Sequence, residues 1–153
     1  MKRHFVVACL LVLSVTPAAA APFSPGGAEA INRALGSCGD PCTIHQNNGG
    51  RIVDYWYAGN AIRQGGRKEL VIDGFCASAC MVLADRARPR ACITSRAVFA
   101  YHKTNFNRPI PLSADLRSWI NHRGGFPEFG ATPGIMPNEV ARHFWPQCHS
   151  RNG

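Results

Sequence analysis

The chain has 153 residues and a formal net charge of +8 at pH 7, which suits one domain with a modest core. Its 17 Lys and Arg residues are scattered and no aromatics interleave with them, which excludes a nucleic-acid platform. A basic balance of this size favours acidic surfaces such as anionic lipid or cell-envelope polymers, with plain solvated surface as the simpler explanation.

Lys2 and Arg3 precede an apolar run from Phe5 to Val15, and Thr16-Pro17-Ala18-Ala19-Ala20 follows with small residues where a signal peptidase reads. Residues 1–20 therefore form a secretory signal, with cleavage expected after Ala20 because a cut after Ala21 would leave Pro22 beside the scissile bond. The apolar run is too short to span a bilayer; a retained anchor is the alternative. A periplasmic or secreted protein is expected. Of seven cysteines, Cys9 leaves with the signal, and Cys38, Cys42, Cys76, Cys80, Cys92 and Cys148 remain. An even set in an oxidising compartment reads as disulfides. Zinc held by the cysteine pairs with His45 or His149 is the rival, but the spacing is not that of a zinc finger. No metal and no cofactor are expected.

Residues 21–42 read as a leader, with a brief helix over Ala28–Leu35 and a Cys38-Gly39-Asp40-Pro41-Cys42 turn that a tight local bridge would span. Residues 43–153 read as the folded α/β domain. Thr43–Gln46 is a short strand that ends in Asn47-Asn48-Gly49-Gly50, a strong turn signal. A helix over Arg51–Gln64 follows, weakened by Gly59 and stopped by Gly65-Gly66. Leu70-Val71-Ile72 is a continuous apolar run, the mark of a strand buried on both faces. Strand, turn, helix and strand make a βαβ unit with a parallel pair.

Ser78–Asp85 reads as a buried helix, Arg86–Arg90 as a basic surface loop, and Ala91–Thr94 and Ala97–Tyr101 as strands with a Ser95-Arg96 turn between them. After His102 the chain is loop-like through Pro109 and Pro111. Ser113 caps a helix running to about His122, and a Pro- and Gly-rich stretch leads to a last helix over Asn138–Trp145.

Chemistry concentrates between Gly74 and His102. A serine hydroxyl is a weak nucleophile until a base takes its proton. Ser78 sits between Ala77 and Ala79 at a strand-to-helix turn, so it is not shielded, and His102 stands at the end of a later strand. A helix starting at Ser78 aims free N–H groups at the site, so the Ala79 N–H is one oxyanion donor and the Gly49-Gly50 turn, through Gly49, supplies the other. The bland alternatives are a small serine where a disulfide-bonded helix packs closely, and a structural histidine. Lys103 or Lys68 would allow a serine–lysine mechanism instead.

Asn48-Gly49-Gly50, Val71-Ile72, Ala77-Ser78-Ala79 and Tyr101-His102, in this order and at these separations, resemble the Clp-protease proteolytic subunit and its relatives of the ClpP/crotonase fold. The likeness covers about Thr43 to Lys103, and the form CASAC followed by YH looks especially like small exported ClpP-like proteins of bacteria. It implies a mostly parallel sheet built from βαβ units with C-terminal helices, Ser78 and His102 as a catalytic pair, and hydrolysis of a peptide or other acyl substrate. Family proteases add an acid after the histidine to orient it; here the nearest carboxylates are Asp115, Glu128 and Glu139, of which Glu128 or Asp115 is the substitute, unless the pair works as a dyad. The family's rings imply a homo-oligomer, although this chain is shorter than a full protease subunit. A non-catalytic ClpP-like module of the cell envelope is the leading alternative, and an acyl-CoA enzyme is disfavoured because that cofactor is absent outside the cytoplasm.

The cysteines add one further expectation. A strand-to-helix turn between Cys76 and Cys80 separates their side chains, so Cys80 is expected to bridge Cys92, and Cys76 another partner.

Overall fold

The computed structural model describes residues 25–65 and 69–149; the signal segment and Lys68 lie outside the described residues. The elements in chain order are α1 (Pro25–Leu35), β1 (Cys42–Asn47), α2 (Ile52–Gln64), β2 (Leu70–Ala77), α3 (Ala79–Arg86), β3 (Ala91–Ile93), β4 (Val98–Tyr101), α4 (Ala114–Asn121), β5 (Gly134–Met136) and α5 (Asn138–Ala141). One mixed, mostly parallel five-stranded sheet runs in the order β1-β2-β4-β5, with β3 also on β2. β1, β3 and β4 lie parallel to β2, and β5 is antiparallel to β4.

β2 is the organising strand, and it is longer than its apolar run. Leu70 and Ile72 pair with Ala91 and Ile93 of β3, whereas Phe75 and Ala77 pair with Val98 and Ala100 of β4. The two segments separated by the Ser95-Arg96 turn thus follow one another along one edge of β2. The strand continues through Asp73-Gly74, residues that read as a stop, because β1 bulges there: its register shifts between Ile44 and Gln46. A Cβ at position 74 would stand 2.0 Å from the His45 carbonyl oxygen, so only glycine admits the bulged neighbour.

One sheet face is closed. Ile44, Ile72, Cys76 and Phe99 are buried on it, beneath α3, where every residue from Ala79 to Asp85 is buried. Phe99 stacks on Trp145 at 4.4 Å between ring centroids, and the indole N–H donates to the Ala84 carbonyl at 3.0 Å. Each large side chain removed from water here contributes about 1.5–3 kcal/mol. Gly59 has a packing reason: a Cβ there would meet Arg86 Cβ at 2.6 Å and the Leu83 carbonyl at 2.7 Å, so glycine lets α2 lie against α3. The expected burial of β2 on both faces holds only in part, since Val71 and Phe75 are half-buried and Thr43 and His45 are exposed. That second face carries Asp73, which accepts from Thr94 Oγ1 at 2.6 Å and from Arg96, and lies 3.0 Å from His45 Nδ1.

Besides the longer β2, three elements differ from the sequence expectation, one of them the last helix, which ends at Ala141 rather than Trp145. β5 lies in the Pro- and Gly-rich stretch that showed no strand pattern, and the basic loop contains a 3₁₀ turn over Arg88–Arg90. The Cys38–Cys42 bridge closes its turn as the sequence allows, but the other two pairings differ: Cys76–Cys80 and Cys92–Cys148 are joined, so Cys80 does not pair with Cys92. The expectation failed because the turn at Ser78 is sharper than an ordinary strand-to-helix turn and brings the Cα atoms of Cys76 and Cys80 to 5.3 Å. Three intramolecular disulfides fit an oxidising, extracytoplasmic setting. Among the described residues no helix is long and apolar enough to cross a membrane, and no group of His, Cys, Asp and Glu could hold a metal ion.

Candidate active site

The carboxyl ends of three adjacent parallel strands deliver the site. β1 ends in the Gly49-Gly50 turn, β2 ends at Ser78, and β4 ends at His102. Such edges are where open α/β sheets place ligands. Ala77 pairs with Ala100, and the Ser78 N–H donates to the Ala100 carbonyl at 2.8 Å. The serine and the histidine therefore leave neighbouring strands side by side. They share a cleft of about 470 Å³ lined also by Gly50, Arg51, Thr104 and Phe129.

Ser78 has φ 55° and ψ −118°, a conformation that costs a residue with a side chain on the order of 1–3 kcal/mol. It turns the chain within one residue from β2 into α3 and lifts the side chain out of the sheet plane, the geometry of a nucleophile elbow. Its neighbours allow it. Ala77 and Ala79 are small, and Gly49, at φ +83°, lies against the turn. The Cys76–Cys80 bridge closes a loop of five residues around Ser78. Closing so short a loop removes roughly 2 kcal/mol of unfolded-chain entropy, the same size as the strain it encloses.

The donors are partly rearranged from expectation. The Ala79 N–H stands at the first position of α3, where no intrahelical acceptor exists. The Gly49 N–H is engaged elsewhere: it donates to Asn47 Oδ1 at 2.8 Å. Asn47 Oδ1 also accepts from the Tyr55 hydroxyl at 2.9 Å, which fixes the turn from below. The following N–H, that of Gly50, has no acceptor among the described residues, and Gly50 lines the cleft. The sequence points to the Gly49-Gly50 turn and, within it, to Gly49; Asn47 does not stand out, and the Asn-Asn-Gly-Gly run signals a turn without saying which N–H it leaves free.

His102 Nδ1 is in hydrogen-bond contact with the Lys103 carbonyl. A carbonyl only accepts, so Nδ1 carries the proton and Nε2 the lone pair. The Phe129 ring packs edge-on against the imidazole at 5.5 Å between centroids. No hydrogen bond joins Ser78 Oγ to His102 in this state.

The expected acids take other places. Asp115 pairs with Arg88, accepts from Ser113 Oγ and from the Leu116 N–H, and so closes the start of α4. Arg88 is also bound to Asp85, in the last turn of α3. Asp115 therefore sits at the opposite end of that eight-residue helix from Ser78, roughly 10 Å away along its axis. Glu128 is closer to His102 in the chain fold, but its carboxylate is held by Lys103 Nζ. The same ion pair engages Lys103, the described lysine of the serine–lysine alternative. A backbone carbonyl, not a carboxylate, orients His102.

Protein-family models, curated proteins and solved structures were all compared with this chain, and none matches. Fold and site together define a class only: a disulfide-bonded α/β protein with a strained serine and an oriented histidine in one cleft at the carboxyl edge of a mostly parallel sheet.

Proposed function

We propose that this protein is an exported serine hydrolase of ClpP/crotonase-like fold, acting in the periplasm or outside the cell on a peptide or related acyl bond. The observation that carries this reading is the backbone of Ser78, held at φ 55° in the same cleft as His102. Strain of that kind at a residue with a side chain needs a use, and an exposed nucleophile is the chemical use it serves.

In the proposed reaction Ser78 Oγ attacks the substrate carbonyl as His102 Nε2 takes its proton. The Ala79 and Gly50 N–H groups receive the oxyanion, and each such donor contributes roughly 10²–10³ in rate. The imidazolium then protonates the leaving group, and water repeats the sequence on the acyl-enzyme. The Lys103 carbonyl sets the histidine tautomer, as an acid would, but supplies no full charge to stabilise the imidazolium. Slow turnover follows, with acylation still feasible.

Hydrolysis of chromogenic esters and of a mixed peptide library by the fully oxidised protein tests the reading. Activity that Ser78→Ala abolishes supports it. The missing Ser78–His102 hydrogen bond and the missing carboxylate favour the second reading, a non-catalytic envelope module, and absence of all hydrolysis would select it.

A further inference from the structure

The cysteines nearest the serine form a bridge that encloses it. Cys76 is the penultimate residue of β2 and Cys80 the second residue of α3, and Ala77-Ser78-Ala79 is the whole of the enclosed chain. Both cysteines have no solvent exposure, whereas Ser78 opens into the cleft. The sulfurs thus lie beneath the turn, in the core, and the hydroxyl above it. The other two bridges serve different places: Cys38–Cys42 spans the turn before β1, and Cys92–Cys148 ties the tail to β3.

We propose that Cys76 and Cys80 are positioning residues for Ser78, and that their bridge holds the nucleophile's backbone in its left-handed conformation. The proposal rests on the hydrolase reading for its consequence but not for its structural content. Without the bridge the end of β2 and the start of α3 are joined only through three soft residues, and the strained serine can relax by unwinding the first turn of α3. Several contacts resist this, among them the Ser78 N–H bond to Ala100 and the seat of Gly49 against the turn. A third, the Met81 N–H bond to the Ser78 carbonyl at 2.9 Å, restrains φ of Ala79 but belongs to the first turn of α3 and is lost as that turn unwinds. Neither of the first two fixes ψ of Ser78, a torsion inside the bridged loop.

A consequence for the site follows. The protein gains its reactive serine when the bridge closes, by exchange of the two thiols with a small-molecule or protein disulfide. That exchange forms one protein S–S bond, releases the donor as two thiols, and leaves the electron count balanced. In a thiol-rich compartment the same exchange runs backwards and the serine is silent. A serine hydrolase built in this way is inactive until exported.

The test compares the purified wild-type protein with C76A/C80A and with C92A/C148A, using two readouts. One is the ¹³Cα and ¹³Cβ shifts of Ser78, which report its backbone angles without any catalysis. The other is the rate of covalent labelling by a fluorophosphonate. In C76A/C80A the Ser78 shifts are expected to move toward ordinary negative-φ values and labelling to fall about tenfold or more, while far-UV circular dichroism stays that of the folded protein. C92A/C148A is expected to keep wild-type shifts and labelling. Should C76A/C80A not fold, the same readouts are taken on wild-type protein held in tris(2-carboxyethyl)phosphine, with alkylation and mass mapping to confirm which bridge opened. Ser78 shifts and labelling that survive loss of the 76–80 bridge overturn the proposal. Shifts that move in a protein whose wild type never labels uphold the positioning role and overturn the hydrolase reading instead.

Discussion

Gly49 lies flat against Ser78: a Cβ at position 49 would stand 3.0 Å from Ser78 Cβ, 2.7 Å from the Ala77 carbonyl oxygen and 2.8 Å from the Ala79 nitrogen. Backbone atoms cannot yield as a flexible side chain can. Gly49→Ala also places a Cβ at φ +83°, which alone costs about 1–2 kcal/mol. A total loss of about 2–4 kcal/mol is expected in urea unfolding. Gly50→Ala is the contrast. Its Cβ would meet the Tyr55 side chain first, at 3.2 Å, and a loss under about 1.5 kcal/mol is expected. Equal losses at the two positions would contradict the close seat of Gly49.

Asn47 holds the turn from beneath, so its loss should exceed that of its partner. Tyr55→Phe removes one hydrogen bond and leaves the Gly49 N–H satisfied, at about 1 kcal/mol. Asn47→Ala strands both donors at once, at about 2–3 kcal/mol. Chemical denaturation of the two variants gives the order directly.

Acid stability should depend on two carboxylates. Hydrogen bonds from Arg96 and then Thr94 hold Asp73 down to about 2, against burial, which would raise it. Burial would likewise raise Asp115, but bonds from Arg88, Ser113 and the Leu116 N–H outweigh it and lower it to about 2. A folded-state value below the ordinary 3.8 means that each carboxylate's contribution is complete above about pH 4 and is lost as pH falls toward 2. Arg96 is exposed, so solvent screening keeps the Asp73 share small. Stability measured from pH 5 to 2 should fall in the wild type, less steeply in D73N, and least in D73N/D115N. An unchanged slope in the double variant would count against both assignments.

The same geometry separates stability from chemistry at the acids. Asp115 closes the start of α4 and Glu128 pairs with Lys103, so neither should set the reactivity of Ser78. Fluorophosphonate labelling of D115N and of E128Q is expected within about twofold of wild type, well short of the roughly 10⁴-fold loss that removal of an orienting acid can cause. A fall of that larger size in either variant would identify a catalytic acid.

How much of this was legible in sequence depends on whether a feature is local. Alternation, glycine turns and apolar runs located β1, α2, α3 and β4 within a few residues, because each is set by its own residues. The length of β2 was hidden, since Asp73 and Gly74 look like a stop and become strand only against the bulge of β1. β5 was hidden for a related reason: three residues at a sheet edge have no pattern apart from their partner. The Cys76–Cys80 pairing was missed because the sharp turn that brings their Cα atoms to 5.3 Å is made by a positive φ at Ser78, an angle that a serine rarely adopts and no composition displays. The free donor at Gly50 depended on which N–H the Asn47 side chain captured. Ser78 and His102 could be named from type and spacing, but the carbonyl that orients the histidine is backbone, which every sequence contains and none reveals.

The most direct measurement is fluorophosphonate labelling of the fully oxidised protein, with the adduct mapped by mass spectrometry. A single adduct on Ser78, lost in Ser78→Ala and reduced by orders of magnitude in His102→Ala, is the expected result. No adduct, or one whose rate His102→Ala leaves unchanged, would contradict the hydrolase.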